Sequence, residues 1–305
     1  MSKREIKNIE HSVHQRLLDR ARKENRPFDE LLQYFAMERF LYRLSKSNYR
    51  DSFVLKGALL LTVWEIPVTR PTRDIDFLGI TDNSVENIVT IVKKIIRTEV
   101  ERDGLDFDES TVTGERITEN AAYEGVRVRI RGSLGKTNIT LQLDIGFGDI
   151  IIPEAVCIHY SSILGFPAPI LRGYSKESMI AEKLEAMVKL GIFNSRVKDF
   201  YDIWLLSRQF DFECRVLAEA ISKTFTKRNT AIPSKISSLI HELKNDLSKK
   251  KQWAGFIRKN KLNNAPDELS IVLEDISSFL SLPIKVIKER HPCKYRWNAS
   301  VSWIE

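Results

Sequence analysis

No stretch of this sequence approaches the roughly 20 consecutive apolar residues of a membrane-spanning helix. The opening MSKREIKNIEHS has no apolar signal core. Cysteine is scarce: Cys157, Cys214 and Cys293 are odd in number and far apart. That number and spacing rule out, as an expectation, both a disulfide framework and any paired CxxC zinc site. Cys157 and Cys214 lie among apolar neighbours and read as packing residues. The five histidines show neither HExxH nor another metal-ligand spacing. The GxSxG elbow, the GxGxxG fingerprint and the GxxxxGKS/T loop are missing as well. These absences lead to the expectation of a reduced, cytoplasmic protein with no membrane segment.

What is present is ordinary for a soluble globular protein. The chain has 305 residues, 43% hydrophobic and 29% charged, enough for two lobes with substantial cores. The net charge is +7, and it is uneven. From Arg215 to Glu305 there are 17 Lys and Arg against 9 Asp and Glu, which leaves the first 214 residues near neutral. A basic back half suits either a polyanionic partner or a solvated helical surface.

Apolar spacing predicts two helices within residues 4–46, broken at Pro27. Phe53–Trp64 reads as a short strand that turns at Gly57 into a buried helix. Arg70–Ile80 reads as a turn and a strand, and Asn83–Arg102 as a helix. Period-two alternation marks strands around Val126–Arg131 and Ile139–Ile145. The Pro- and Gly-rich stretch Leu164–Ser175 is the expected boundary. Beyond it, helices are expected at 175–190, 196–209, 214–226, 233–248 and 266–281, followed by a Trp-containing tail. The fold class is therefore α+β: residues 1–170 form an α/β lobe with a mixed sheet, and residues 171–305 a basic helical lobe.

Asp74-Ile75-Asp76 is the sharpest local feature. On a strand, residues i and i+2 share a face, so the two carboxylates lie side by side. Their mutual repulsion is relieved by a divalent cation, and all-oxygen ligation suits Mg²⁺ or Mn²⁺. Asp144, on the polar face of another strand, is a third ligand, a sheet-edge charge, or an ion-pair partner of Arg127 or Arg129. Gly57 allows a close backbone approach to a ligand. Around a helical wheel, Lys183 falls among Met179, Leu184 and Met187. It must either snorkel to a surface or meet a buried anion. Asp199 falls between Ile203 and Leu206 as an inward carboxylate and a candidate partner for Lys183, whereas Asp202 is expected on a more exposed side.

Five blocks occur in order: FVLKGALLL, RPTRDIDFLG, LQLDIGFGD, SMIAEKLEAMV and SRVKDFYDIW. From Phe53 to Trp204 the sequence resembles the AbiEii/AbiGii family of nucleotidyltransferase toxins, within the polymerase-β-like nucleotidyltransferase superfamily. The resemblance implies metal-dependent transfer of a nucleotidyl group from a nucleoside triphosphate (NTP). Asp74 and Asp76 match the metal-binding pair, Lys183 the lysine of the AEK block, and Asp199 the acid of the KDFYD block. Asp144 falls where the superfamily often keeps a third carboxylate. Gly57 matches the glycine of the triphosphate loop. That loop reads Gly57-Ala58-Leu59, where the superfamily prefers Gly-Gly or Gly-Ser followed by a hydroxyl residue. Lys56, Arg73 and the backbone at Ala58 are the candidates to take over nucleotide binding. The resemblance also implies a cognate antitoxin, a role in a toxin–antitoxin or phage-defence pair, and modification of RNA at tRNA 3′ ends. Tyr295 and Trp297, beside Lys294 and Arg296, are expected to contact that RNA. Two other readings share the front half: transfer to a small molecule or protein, and a non-catalytic binding module.

Overall fold

The computed structural model describes residues 8–66, 70–119, 123–299 and 302–305. The expected start of the first helix at residue 4 lies outside them. The chain divides into two compact units. One comprises Met1–Glu65, Pro71–Gly148 and Val156–Gly173; the other comprises Ile66–Arg70, Asp149–Ala155 and Tyr174–Glu305.

The first unit opens with α1 (Ile9–Glu24), capped by the Asn8 side chain, which accepts from the His11 N–H. Pro27 then sits at the N-cap of α2 (Phe28–Lys46). β1 (Phe53–Lys56) leads through Gly57 into the five-residue α3 (Leu59–Val63). β2 (Asp74–Gly79), α4 (Val85–Ile96), β3 (Leu105–Glu119), β4 (Tyr123–Leu134) and β5 (Thr137–Phe147) follow. β6 (Val156–His159) and β7 (Ile170–Gly173) complete a seven-stranded mixed sheet in the order β3-β4-β5-β2-β1-β7-β6. β2 runs parallel to β5 and antiparallel to β1. The apolar stripe of α2 packs on this sheet, yet α2 also buries charge. Arg39 is fully buried, with its Nε 3.0 Å from Asp103 Oδ2, and Arg43 Nη1 lies 2.7 Å from the same oxygen. Such buried guanidinium groups persist only because a carboxylate meets them.

The second unit is mainly helical: α5 (Lys176–Leu190), α6 (Val197–Gln209), α7 (Cys214–Lys227), α8 (Ile236–Asn245), α9 (Leu247–Asn260) and α10 (Leu269–Glu289). The expected helix over 233–248 corresponds to α8 alone, and α9 follows it where no helix was expected. Asp246 ends α8, and its side chain accepts from the Lys249 N–H to cap α9. α10 also runs past its expected end and through Pro283. Proline cannot donate to the carbonyl four residues earlier; here Trp303 Nε1 donates to that Phe279 oxygen at 3.2 Å.

The tail forms strands. β9 (Arg296–Asn298) pairs with β10 (Ser302–Ile304) and with β8 (Phe212–Glu213). The pairing of β8 with β9 places Cys214 beside the tail, where its N–H donates to the Tyr295 carbonyl. Cys214 is bonded to Cys293 in a disulfide, contrary to the expectation of unpaired cysteines. Cys157 is exposed on β6 rather than packed. The pattern of residues along the chain could not show either outcome, because both depend on strand pairing. Among the described residues, no helix is long and apolar enough to cross a membrane.

Candidate active site

β2 alternates as expected: Ile75 and Phe77 are buried, while Asp74 and Asp76 are partly exposed. Strand register sets their neighbours. Asp76 stands opposite Lys56 on β1 and opposite Asp144 on β5. Asp144 stands opposite Arg127 on β4, which stands opposite Glu115 on β3. Residues paired across strands share a face. Lys56, Asp76, Asp144, Arg127 and Glu115 therefore form one charged row across five strands.

Carboxylate oxygens of Asp74, Asp76 and Asp144 can all lie within 4.8 Å of one another. Three anions this close repel unless cations intervene. Arg127 supplies one: its Nε and Nη2 donate to the two Asp144 oxygens at 2.8 and 2.7 Å. This hydrogen-bonded pairing, opposed by partial burial and helped by the charges of Asp144, Glu115 and Asp74, raises the Arg127 pKa further. Thr72 Oγ1 donates to Asp74 Oδ1 at 2.5 Å. The donor set is all oxygen and partly solvent-facing, which suits a hard cation such as Mg²⁺ or Mn²⁺. Such a cation would share Asp144 with Arg127.

Gly57 closes the site from β1. Its φ is +73°, and a Cβ built there would lie 2.0 Å from Asp76 Oδ2. Only glycine admits the carboxylate at this spot. Lys56 is buried, and its Nζ would sit 3.2 Å from a Cβ at Gly146. Ala58 is buried too, whereas Arg73 is exposed. Lys56, Gly57, Asp74, Asp76 and Asp144 are thus brought together in the first unit.

Lys183 and Asp199 belong to the second unit and meet there. Lys183 Nζ lies 2.9 Å from Asp199 Oδ1 and 2.7 Å from Asp202 Oδ2. Asp202 is as buried as Asp199, contrary to the sequence expectation. The reason is that α6 packs against α5, α9 and α10, so that almost every position from Val197 to Ser207 is interior. Asp202 also accepts from Arg70 Nε and Nη2, each at 2.8 Å. Arg196 Nε lies 3.0 Å from Asp199 Oδ2.

Burial pulls the Lys183 ammonium down, but Asp199 and Asp202 outweigh it and hold its pKa above the ordinary lysine value. Burial raises the Asp202 carboxyl, yet Arg70 and Lys183 outweigh it and push the carboxyl down to about 2. Lys183 is therefore a fixed cation rather than a proton acceptor. Sequence reasoning missed Arg70 and Asp202. The available signals were the repeated acid at i+3 on α6 and the arginine that opens RPTRDID.

The tail differs from its expected role. Trp297 is 1% exposed, and its Nε1 donates to the Ser207 carbonyl. It packs with Phe279 and Trp303 and cannot stack on a base. Tyr295 stays accessible, and Arg296 pairs with Asp211.

Fold and site define a class: an α+β protein whose mixed sheet gathers three carboxylates against a glycine turn. The pattern described as nucleotidyl transferase AbiEii toxin, type IV TA system, matches residues 39–279, and the chain belongs to this family. It is thus a nucleotidyltransferase toxin by family, as the ordered blocks implied. Two solved structures are similar to it. One is a candidate nucleotidyltransferase from H. pylori, 16% identical, with a TM-score of 0.45 over 86% of this chain and 97% of that one. The other is JHP933 from Helicobacter pylori, 17% identical, with a TM-score of 0.45 over 86% and 94%. No curated protein matches the chain.

Proposed function

We propose that the chain transfers a nucleotidyl group from an NTP to an RNA, with a tRNA 3′ end as the acceptor class, and that a cognate antitoxin restrains it. A hydroxyl oxygen of the acceptor attacks the α-phosphorus. The bond from that phosphorus to the bridging oxygen breaks, pyrophosphate leaves, and the hydroxyl proton passes to the carboxylate cluster. A divalent cation held by Asp74 and Asp76, with Asp144 as third candidate, would neutralise phosphate charge and acidify the hydroxyl. Gly57 lets the backbone lie close against Asp76, the backbone at Ala58 is the candidate donor to phosphate oxygens, and Lys56 and Arg73 add positive charge. Lys183, kept cationic and oriented by Asp199 and Asp202, stabilises the triphosphate or the leaving pyrophosphate. The observation that carries this reading is the carboxylate trio, with Asp76 packed against Gly57, in a chain of this family.

The test is incubation with Mg²⁺, each labelled NTP in turn and total tRNA, beside the Asp74→Ala/Asp76→Ala double variant. Label on RNA with the wild type alone supports the proposal. NTP consumption that leaves RNA unlabelled overturns the acceptor, and absence of consumption by a folded protein overturns the transfer.

A further inference from the structure

The turn between α5 and α6 exposes apolar surface in a place that packing does not explain. Phe193 is 86% exposed and Ile192 is 43% exposed. Burying a phenylalanine side chain ordinarily contributes about 2 kcal/mol. The turn is not loose. Gly191–Phe193 form a 3-10 turn that the Asn194 N–H closes onto the Gly191 carbonyl at 3.1 Å. Asn194 is fully buried, and its Oδ1 accepts from the Arg196 N–H at 2.8 Å. The ring is thus presented on a preset scaffold, which lowers the ordering cost of binding.

The loop itself is basic. From Lys189 to Lys198 the chain carries Lys189, Arg196 and Lys198 and no acid. α8, which packs against the turn, has exposed Lys235 at its N-cap and exposed Glu242 within it. Arg196 reaches from this loop to Asp199, the partner of Lys183. The apolar part is essentially one ring and part of another side chain. That is well under the roughly 800 Å² per partner of a stable protein interface, but it matches one aromatic face for one base.

We propose that Phe193 is a stacking platform for an unpaired base of the acceptor RNA, with Lys198 meeting an adjoining phosphate. This rests on the RNA reading given above and adds to it a surface in the second unit. Stacking on an aromatic side chain tolerates any base, so the platform would set where the strand lies rather than which sequence is chosen.

The test uses the full chain and two variants, Phe193→Ala and Phe193→Trp, whose melting temperatures should match the wild type. Single-stranded oligoribonucleotides titrated into Phe193→Trp should quench fluorescence beyond the wild-type change, with saturation. In the transfer assay, Phe193→Ala should raise the KM for RNA about tenfold and leave the KM for NTP as it is. Phe193→Trp should retain the wild-type KM for RNA. Wild-type RNA labelling with no effect of either variant overturns the platform alone. A wild type that neither binds nor labels RNA overturns the RNA reading, and the platform with it. If Phe193→Ala leaves the RNA parameters unchanged but abolishes antitoxin binding, the surface belongs to a protein and the proposal falls.

Discussion

At the scale of single residues, the site turns on charge and on missing atoms. Asp74 and Asp76 were legible because a strand has period two, and their neighbours on β2 are buried as that period requires. Asp74→Asn should weaken Mn²⁺ binding at least about tenfold, as measured by titration calorimetry, and abolish transfer. The melting temperature should hold or rise slightly, since removing one of three adjacent negative charges relieves repulsion. Unchanged Mn²⁺ affinity would remove Asp74 from the ligand set. Gly57→Ala should do what the charge change does not. Its methyl would collide with Asp76 Oδ2, and its φ of +73° disfavours any side chain. Loss of both Mn²⁺ binding and about 1 kcal/mol or more of stability in urea is expected. Arg127 was visible only as one possible partner of Asp144; the bidentate pair was decided by the register of β4 against β5.

At the scale of elements, α6 carries the main lesson. A helical wheel assumes one wet side, but this helix is surrounded, so Asp199 and Asp202 both lie inside and share Lys183. Lys183→Met should cost about 3–5 kcal/mol, because it strips a cation from two buried carboxylates; denaturant unfolding measures this. The Asp202 carboxyl sits at about 2 when folded, below its ordinary value of 3.8. A depressed carboxyl stabilises the fold fully above the unfolded pKa and loses that contribution as pH falls through the folded one. Stability should therefore decline between about pH 4 and pH 2 in the wild type, and less steeply across that window in Asp202→Asn. Equal slopes would mean that the Arg70–Asp202–Lys183 cluster does not titrate there. α9 escaped sequence reading because Lys-rich residues and Gly255 dilute its apolar stripe, while Trp253 and Ile257 still anchor it in the core.

At the scale of the whole molecule, charge and the disulfide matter most. The excess of Lys and Arg after Arg215 predicts RNA binding that weakens steeply between about 50 and 200 mM salt. A flat salt dependence in filter binding would remove the basic back half from RNA contact. The Cys214–Cys293 bond closes a loop of sequence separation 79. Reduction, or Cys293→Ser, should lower the denaturation midpoint by the equivalent of up to about 4 kcal/mol. An unchanged midpoint would show that β8, β9 and the aromatic cluster hold the tail without it.

The sequence by itself determined the α+β class, most element positions, the carboxylate pair and, through five ordered blocks, the family. These are local properties, set by periodicity and by residue types at short spacing. Tertiary structure alone decided that Asp144 pairs with Arg127, that Asp202 and Arg70 join Lys183 and Asp199, that Trp297 is core, and that two distant cysteines meet. Each of these depends on which strand or helix lies alongside another. The burial that fixes such neighbours is non-directional and leaves no spacing along the chain to read.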